Sequence, residues 1–170
     1  MSSPEKTTLA VERVTFTSDR RFDDVLDRVY SGIGRPDMGK FSGDLSAARS
    51  FDEFEAVVHD AVGPSDLLRF LELDEDVALK IDPDINAYRL VRIIAGNPLT
   101  MSEMTRFVPD AGSYAPVTIL VHQAADGVKV SYDTVASALR PYGDARAQAV
   151  AENLDRKVLA LLERATAADN

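Results

Sequence analysis

The sequence feature that most constrains the fold is a predicted β-hairpin centred on Asp126-Gly127. The flanking runs, Val117–Gln123 and Val128–Asp133, each alternate apolar and polar residues, which is the period of a half-buried strand. Asp-Gly between two such runs is a strong signal for a two-residue turn. If those two residues form the loop, Val121 lies opposite Tyr132, and the hairpin belongs to a sheet with one buried face.

The two faces of this hairpin differ in chemistry. One face is apolar and consists of Val117, Ile119, Val121, Val128, Val130 and Tyr132. The other face is mixed and consists of Thr118, Leu120, His122, Lys129, Ser131 and Asp133, with His122 opposite Ser131 in the same register. Antiparallel sheets commonly pack one face on the core and leave the other in solvent, so the mixed face is predicted to be an open surface.

Upstream of the hairpin, the pattern predicts a strand and then a helix. Leu9–Thr17 alternates in the manner of a strand. Residues 20–32 carry apolar side chains at spacings of three and four, which predicts a helix capped by Ser18 or Asp19. Residues 35–49, with one proline and two glycines, predict a loop.

A capping box marks the next helix. Ser50 can accept a hydrogen bond from the backbone and Glu53 can reach back, so the helix begins after Ser50 and ends at Gly63-Pro64. Its predicted buried side chains are Phe51, Phe54, Val57, Val58 and Ala61. Together with the preceding loop, this helix makes residues 35–66 a helical insertion.

Two further strands and three further helices complete the pattern. Leu67–Asp74 and Tyr88–Ala95 predict strands, with a short helix over Glu75–Ile81 between them. After Gly96-Asn97-Pro98, Thr100 or Ser102 opens a short helix that reaches about Phe107. Asp144 caps a long last helix whose apolar stripe is Val150, Leu154, Val158, Leu161, Leu162 and Ala165.

The resulting order is a strand, a helix, an inserted helix, four strands and a long helix. The predicted fold class is therefore α+β, with an antiparallel-rich sheet that carries helices on one face and leaves the other open. A chain of 170 residues is about one domain. We expect residues 1–170 to form a single domain in which residues 1–8 and 166–170 are flexible.

Composition excludes several classes of function. The formal charge is −9, and a nucleic-acid binder needs clustered Lys and Arg to neutralise phosphates. The absence of cysteine removes disulfides, thiolate nucleophiles and cysteine-based zinc sites. No secretory signal and no run of about 18 apolar residues is visible, so the expected protein is cytoplasmic, with neither nucleic acid nor membrane as a partner.

Several motifs together resemble a known family, called domain of unknown function 302. The motifs are the strand ending in Gly-Asn-Pro (Ile93–Pro98), Tyr-Ala-Pro entering a strand (Tyr114–Pro116), a strand ending in Ser-Tyr-Asp (Gly127–Asp133), Leu-Asp-Arg-Lys in the last helix (Leu154–Lys157) and Leu-Glu-Leu-Asp (Leu71–Asp74). The resemblance covers residues 88–165 and extends to Val11–Ile33, with residues 35–66 as the expansion of a longer subgroup.

This resemblance implies a β-α-β4-α order similar to the TATA-binding-protein-like class, often dimeric, and implies no established activity. One departure concerns Asp74-Glu75-Asp76, where many relatives have Asp-His-Gly. Any role of that histidine therefore does not carry over to this chain.

Four arrangements of polar residues are candidate sites, and two of them lack the geometry their chemistry needs. Ser131, His122 and Asp133 supply the residue types of a hydrolase triad, but serine and aspartate share one face of one strand and no Gly-x-Ser-x-Gly elbow is present. No catalytic residue is therefore predicted. His59 lacks a second histidine at metal-ligand spacing, and the acidic run 74–84 lacks the spacing of a calcium loop, so neither a metal nor a cofactor is predicted.

The other two arrangements are the Gly-Asn-Pro turn and the mixed sheet face. Asn97 is either a plain turn residue or an amide at the mouth of a pocket between the sheet and the short helix. On the mixed face we expect Arg13, Thr15, Glu72, Arg92, His122 and Ser131 to share one side. Such a face can be solvated, bind a small molecule or form a dimer, and dimerisation is favoured.

The functional hypothesis is a small soluble bacterial-type domain, non-enzymatic, that forms a homodimer and binds a small ligand or a protein partner. The candidate ligand-binding residues are Asn97, His122, Arg92, Asp74, Ser131 and Asp133. The alternative hypothesis is an enzyme with acid–base chemistry in a pocket near Asn97 and His122.

Overall fold

The computed structural model describes residues 3–168. One antiparallel five-stranded sheet has the strand order β1-β5-β4-β3-β2. The strands are β1 (Arg13–Ser18), β2 (Leu68–Asp74), β3 (Leu90–Gly96), β4 (Val117–Ala124) and β5 (Gly127–Asp133). The described helices are α1 (Phe22–Gly32), α2 (Met38–Ala47), α3 (Phe51–Ala61), α4 (Val77–Ile81), α5 (Pro98–Thr105), α6 (Val135–Leu139) and α7 (Ala145–Thr166), with two short 3-10 helices at Pro109–Ser113 and Arg140–Tyr142.

The main core lies between one face of the sheet and the helices α1, α5 and α7. The apolar face predicted for the β4–β5 hairpin is buried, and all six of its side chains lie in this core. Val25 and Val29 of α1 and Val158 and Leu162 of α7 pack against it. The fold is therefore α+β with helices on one face of an antiparallel sheet, as predicted.

The hairpin register differs from the prediction by two residues. Val121 lies opposite Val130, not Tyr132, and His122 lies opposite Lys129, not Ser131. The loop is Ala125-Asp126, because Gly127 already belongs to β5. A slip of two residues leaves every side chain on its predicted face, since the side-chain period of a strand is two.

Gly127 is needed in the strand for a steric reason. Its φ is 127°, a region that L side chains rarely adopt, and a Cβ there would lie 2.5 Å from the carbonyl oxygen of Ser18 in β1. The glycine thus permits the close approach of β1, and its position in the strand moves the turn one residue earlier.

Residues 35–49 are not the predicted loop, because most of them form α2. Asp37 caps this helix and accepts a hydrogen bond from the Lys40 amide at 2.7 Å. Phe41 is buried in a second apolar cluster with Val58 of α3 and Leu68 of β2. This packing outweighs the low helix propensity of the two glycines inside the helix.

The capping box of α3 is confirmed in its first half. Ser50 accepts a hydrogen bond from the Glu53 amide at 3.2 Å, whereas the Glu53 carboxylate accepts from the Arg49 amide at 2.7 Å. Val58 is buried as predicted, but Phe51 is 61% exposed.

Two predicted caps are wrong. Ser18 ends β1, and α1 begins after Arg21, which makes no side-chain cap bond. The cap of α5 is Asn97, not Thr100 or Ser102, and Pro98 occupies the first turn. Proline suits that position because its missing N–H would have no partner within the helix.

Glu72 was predicted to lie on the open face, but its side chain lies on the opposite face of the sheet. A bulge between Arg69 and Leu71 shifts the pairing of β2 with β3, so Glu72 lies opposite the buried Ile93. Its carboxylate accepts a hydrogen bond from the Tyr30 hydroxyl of α1. The open face therefore receives Leu71 and Leu73 from β2 instead.

Within residues 3–168, no helix is long and apolar enough to cross a bilayer. The predicted flexibility of residues 1–8 and 166–170 falls partly on residues 1, 2, 169 and 170, which lie outside the described part of the chain. It stays a prediction, as does the single-domain assignment.

Candidate functional site

Four of the six candidate residues lie on the face of the sheet opposite α1, α5 and α7, here called the uncovered face. Its side chains alternate with the buried ones along each strand. Arg92 of β3 lies opposite Leu120 of β4, which lies opposite Ser131 of β5. His122 and Asp133 belong to the neighbouring rows of the same face.

Two polar residues of β5 on this face, Ser131 and Asp133, have partners on β1. Asp133 accepts two hydrogen bonds from the Arg13 guanidinium, at 2.6 and 2.8 Å. These bonds hold the pKa of the Asp133 carboxyl below its usual range. The Ser131 hydroxyl oxygen lies 3.1 Å from that of Thr15.

His122 does not join Ser131 and Asp133 in a catalytic arrangement. It lies opposite Lys129, and its Nδ1 is 3.1 Å from the carbonyl oxygen of the next residue, Gln123. A nucleophile and its base must be within hydrogen-bond reach of each other. Ser131 instead bonds Thr15, so the geometry provides no triad.

The other half of the uncovered face is apolar and surrounds one cation. Leucine and isoleucine side chains from β2, β3 and β4 lie around Arg92, whose guanidinium pairs with Glu75 at 2.9 Å. These side chains are Leu71, Leu73, Leu90, Ile94 and Leu120. Leu71 is 50% exposed, and the others are partly exposed.

Asp74 is the fifth candidate and ends β2. Its hydrogen bond to Asp76 raises the pKa of its carboxyl. The buried Asp76 pairs with Lys80 at 2.6 Å, and this contact lowers the pKa of the Asp76 carboxyl. These two contacts of Asp76, with Asp74 and with Lys80, lie in the connection between β2 and β3.

Asn97, the sixth candidate, is engaged in a structural network. Its Oδ1 accepts from the Leu99 amide at 2.9 Å, and its Nδ2 donates to Oδ1 and the carbonyl oxygen of Asp66 at 3.0 and 3.2 Å. Asp66 has a φ of 57° and also binds Lys157 of α7 at 2.5 Å. The amide thus caps α5 and ties it to the end of the insertion.

The structure does not bring Asn97 and His122 together. His122 lies opposite Leu90, and Asn97 follows Leu90 by seven positions along β3 and its end. At about 3.3 Å per residue, this separates the two side chains by roughly 20 Å. A single pocket near both residues is therefore not formed.

Two cavities border Asn97, one polar and one apolar. A groove of about 430 Å³ includes Glu55, His59, Asp66 and Lys157. A second cavity, of about 420 Å³, has a surface made of apolar atoms and is here called the apolar pocket. A third cavity, of about 650 Å³ near Arg21 and Tyr88, contains none of the six candidate residues.

One buried polar arrangement was missed by the sequence reasoning. Asp155 of α7 accepts hydrogen bonds from the Tyr132 hydroxyl at 2.5 Å and from the Val135 and Ala136 amides at 2.9 and 3.0 Å. Burial raises the pKa of the Tyr132 hydroxyl. The available signal was an acidic residue one turn after Ala151 on the buried side of the last helix.

Among the described residues, no group of three or more His, Asp or Glu side chains is placed to hold a metal ion.

Comparison with known proteins gives the family. The model of the family described as domain of unknown function DUF302 matches residues 44–165. The fold is similar to that of an uncharacterized conserved DUF302 protein from Bacillus stearothermophilus, with a TM-score of 0.61 and 12% sequence identity over 90% of this chain and 97% of that one. No curated protein matches the chain. Because the family model matches well over half of its residues, this chain belongs to the DUF302 family.

Proposed function

We propose that the chain is a cytoplasmic, non-enzymatic binding domain that forms a homodimer through its uncovered face. The observation that carries this proposal is the apolar half of that face, where Leu71 is 50% exposed and the other four side chains are partly exposed. These five apolar side chains lie in adjacent rows of the sheet, and large contiguous apolar patches often mark interaction sites.

The charges of the uncovered face suit a second copy of the chain. Three cations on the face, Arg13, Arg92 and Lys129, are each paired with a carboxylate, those of Asp133, Glu75 and Asp126. The charge of −9 is therefore carried by the rest of the molecule. Two such faces can approach without the like-charge repulsion that the acidic surface would impose.

The size of the face also fits a dimer. Five strands spaced by about 4.8 Å and three rows of side chains give a footprint of roughly 500 Å². Stable interfaces bury about 800 Å² per partner. The connection between β2 and β3 carries further exposed apolar side chains, from Val77, Ile81, Ile85 and Tyr88, and we propose that these add to the contact area.

Sedimentation velocity tests the proposal. We expect the native chain to sediment as a dimer at tens of micromolar, and Leu120→Asp to sediment as a monomer with an unchanged circular dichroism spectrum. The matched control is Phe51→Asp, which removes an exposed apolar side chain from α3, away from the face, and should remain dimeric. A monomeric native chain, or a dimeric Leu120→Asp variant, would overturn the proposal.

A further inference from the structure

We propose that the apolar pocket beside Gly96 binds a small, uncharged, hydrophobic molecule of two or three rings. This inference deepens the proposed binding role, on which it rests, by giving it a ligand class and a site. The pocket has walls from Leu45, Phe54, Phe70, Met101, Pro116 and Leu154.

The pocket lies between two separately packed parts of the molecule. Leu45 and Phe54 come from the insertion helices and belong with the second apolar cluster, around Phe41 and Val58. Leu154 belongs to the main core. Ligand pockets occur preferentially where separately packed parts of a protein meet, such as domain interfaces and the gaps between helices.

The chemistry of the pocket selects against charge. Asn97 is the polar residue in its lining, and both ends of its amide are already used, by Leu99 and Asp66. A charged ligand would lose its hydration without gaining a partner, which is costly in an apolar site. An uncharged hydrocarbon or aromatic molecule loses nothing by entering.

The volume sets the size of the ligand. An apolar cavity of about 150 Å³ holds one benzene ring. The apolar pocket, at about 420 Å³, is large enough for two or three rings and falls within the usual range of small-molecule sites. Met101 on one wall is unbranched and adapts its shape to different occupants.

A matched pair of dyes tests the ligand class. N-phenylnaphthylamine is uncharged, and anilinonaphthalene sulfonate has the same rings with a sulfonate added. We expect saturable fluorescence enhancement of the uncharged dye at one site per chain, and at least tenfold weaker binding of the sulfonate. Absence of saturable binding of the uncharged dye, or equal affinity for both dyes, would overturn the inference.

Substitutions locate the binding. Met101→Trp fills the pocket and should weaken binding of the uncharged dye at least tenfold. Glu103→Trp is the matched control on the same helix, because Glu103 is exposed and borders the polar groove instead. Equal loss in both variants, or no loss in Met101→Trp, would place the dye elsewhere. Sedimentation of the same samples tests the dimer separately from the pocket. Met101 is not on the uncovered face, so Met101→Trp should lose dye binding and remain dimeric.

Discussion

Tyr132 donates its hydroxyl hydrogen to Asp155, and the two oxygens are 2.5 Å apart. The same carboxylate accepts from the Val135 and Ala136 amides at the start of α6. One buried side chain thus joins β5, α6 and α7. Charge-assisted hydrogen bonds of this kind offset the cost of burying a carboxylate. Removal of either partner should therefore lower the free energy of unfolding.

We predict that Asp155→Asn lowers the free energy of unfolding by about 1–3 kcal/mol, because the new NH₂ group cannot accept from a backbone N–H and leaves a buried donor unpaired. Tyr132→Phe removes one bond and should cost about 1–2 kcal/mol. Urea unfolding measures both changes. Glu152→Gln, at an exposed position of α7, is the control and should change stability by under about 0.5 kcal/mol. An Asp155→Asn variant as stable as this control would contradict the prediction.

The second prediction concerns Asp66. Its backbone has a left-handed conformation, and its side chain bonds both Asn97 and Lys157. Asp66→Ala loses the side-chain bonds to Asn97 and Lys157 and places a residue with a Cβ and no local hydrogen bond at a φ of 57°, so we expect a loss of about 2–3 kcal/mol. Asp66→Asn tolerates that φ and keeps the acceptor for Asn97. It loses only a half-exposed ion pair and should cost under about 1 kcal/mol. Thermal unfolding distinguishes the two, and equal losses would argue against the role of the backbone.

Local patterns predicted the strands and the faces of the hairpin, but not the bulge that turns Glu72 to the other face or the contacts that depend on distant partners. The alternation around Asp126 identified the buried face, yet the position of the turn depends on Gly127 meeting Ser18 of β1. Likewise α2 is helical because Phe41 packs against Leu68, far along the chain.

The candidate site residues also fall into two groups, those that the local pattern could place and those that it could not. The four residues on the open face were predictable, because the period of two assigns them to one side regardless of register. The pairing of Asn97 with Asp66 was not, since it depends on how the insertion returns to the sheet. The apolar pocket also needs Leu45 of α2, which the sequence pattern assigned to a loop.

The third prediction tests the hairpin register, and the absence of native cysteine makes the test clean. His122→Cys with Lys129→Cys places two thiols directly opposite, with Cα atoms about 5 Å apart, within the range for a disulfide. His122→Cys with Ser131→Cys places them on a diagonal, about 7–8 Å apart. Mild oxidation should therefore crosslink the first pair and leave the second with titratable thiols. Crosslinking of the second pair alone would support the register shifted by two residues.

The fourth prediction concerns acid stability and Asp144, the cap of α7. Its bonds to the Arg146 guanidinium and to the Ala147 and Arg146 amides lower the pKa of its carboxyl to about 2. A carboxyl whose pKa is lower in the folded than in the unfolded chain contributes stability above its unfolded pKa of about 3.9, and that contribution is lost as the pH falls toward 2. Asn also caps helices but does not titrate, so the stability difference between the native chain and Asp144→Asn should shrink between pH 6 and pH 3. Arg146→Gln removes the largest cause of the low pKa and should weaken the dependence, and a difference that stays constant with pH in urea unfolding would refute this role of Asp144.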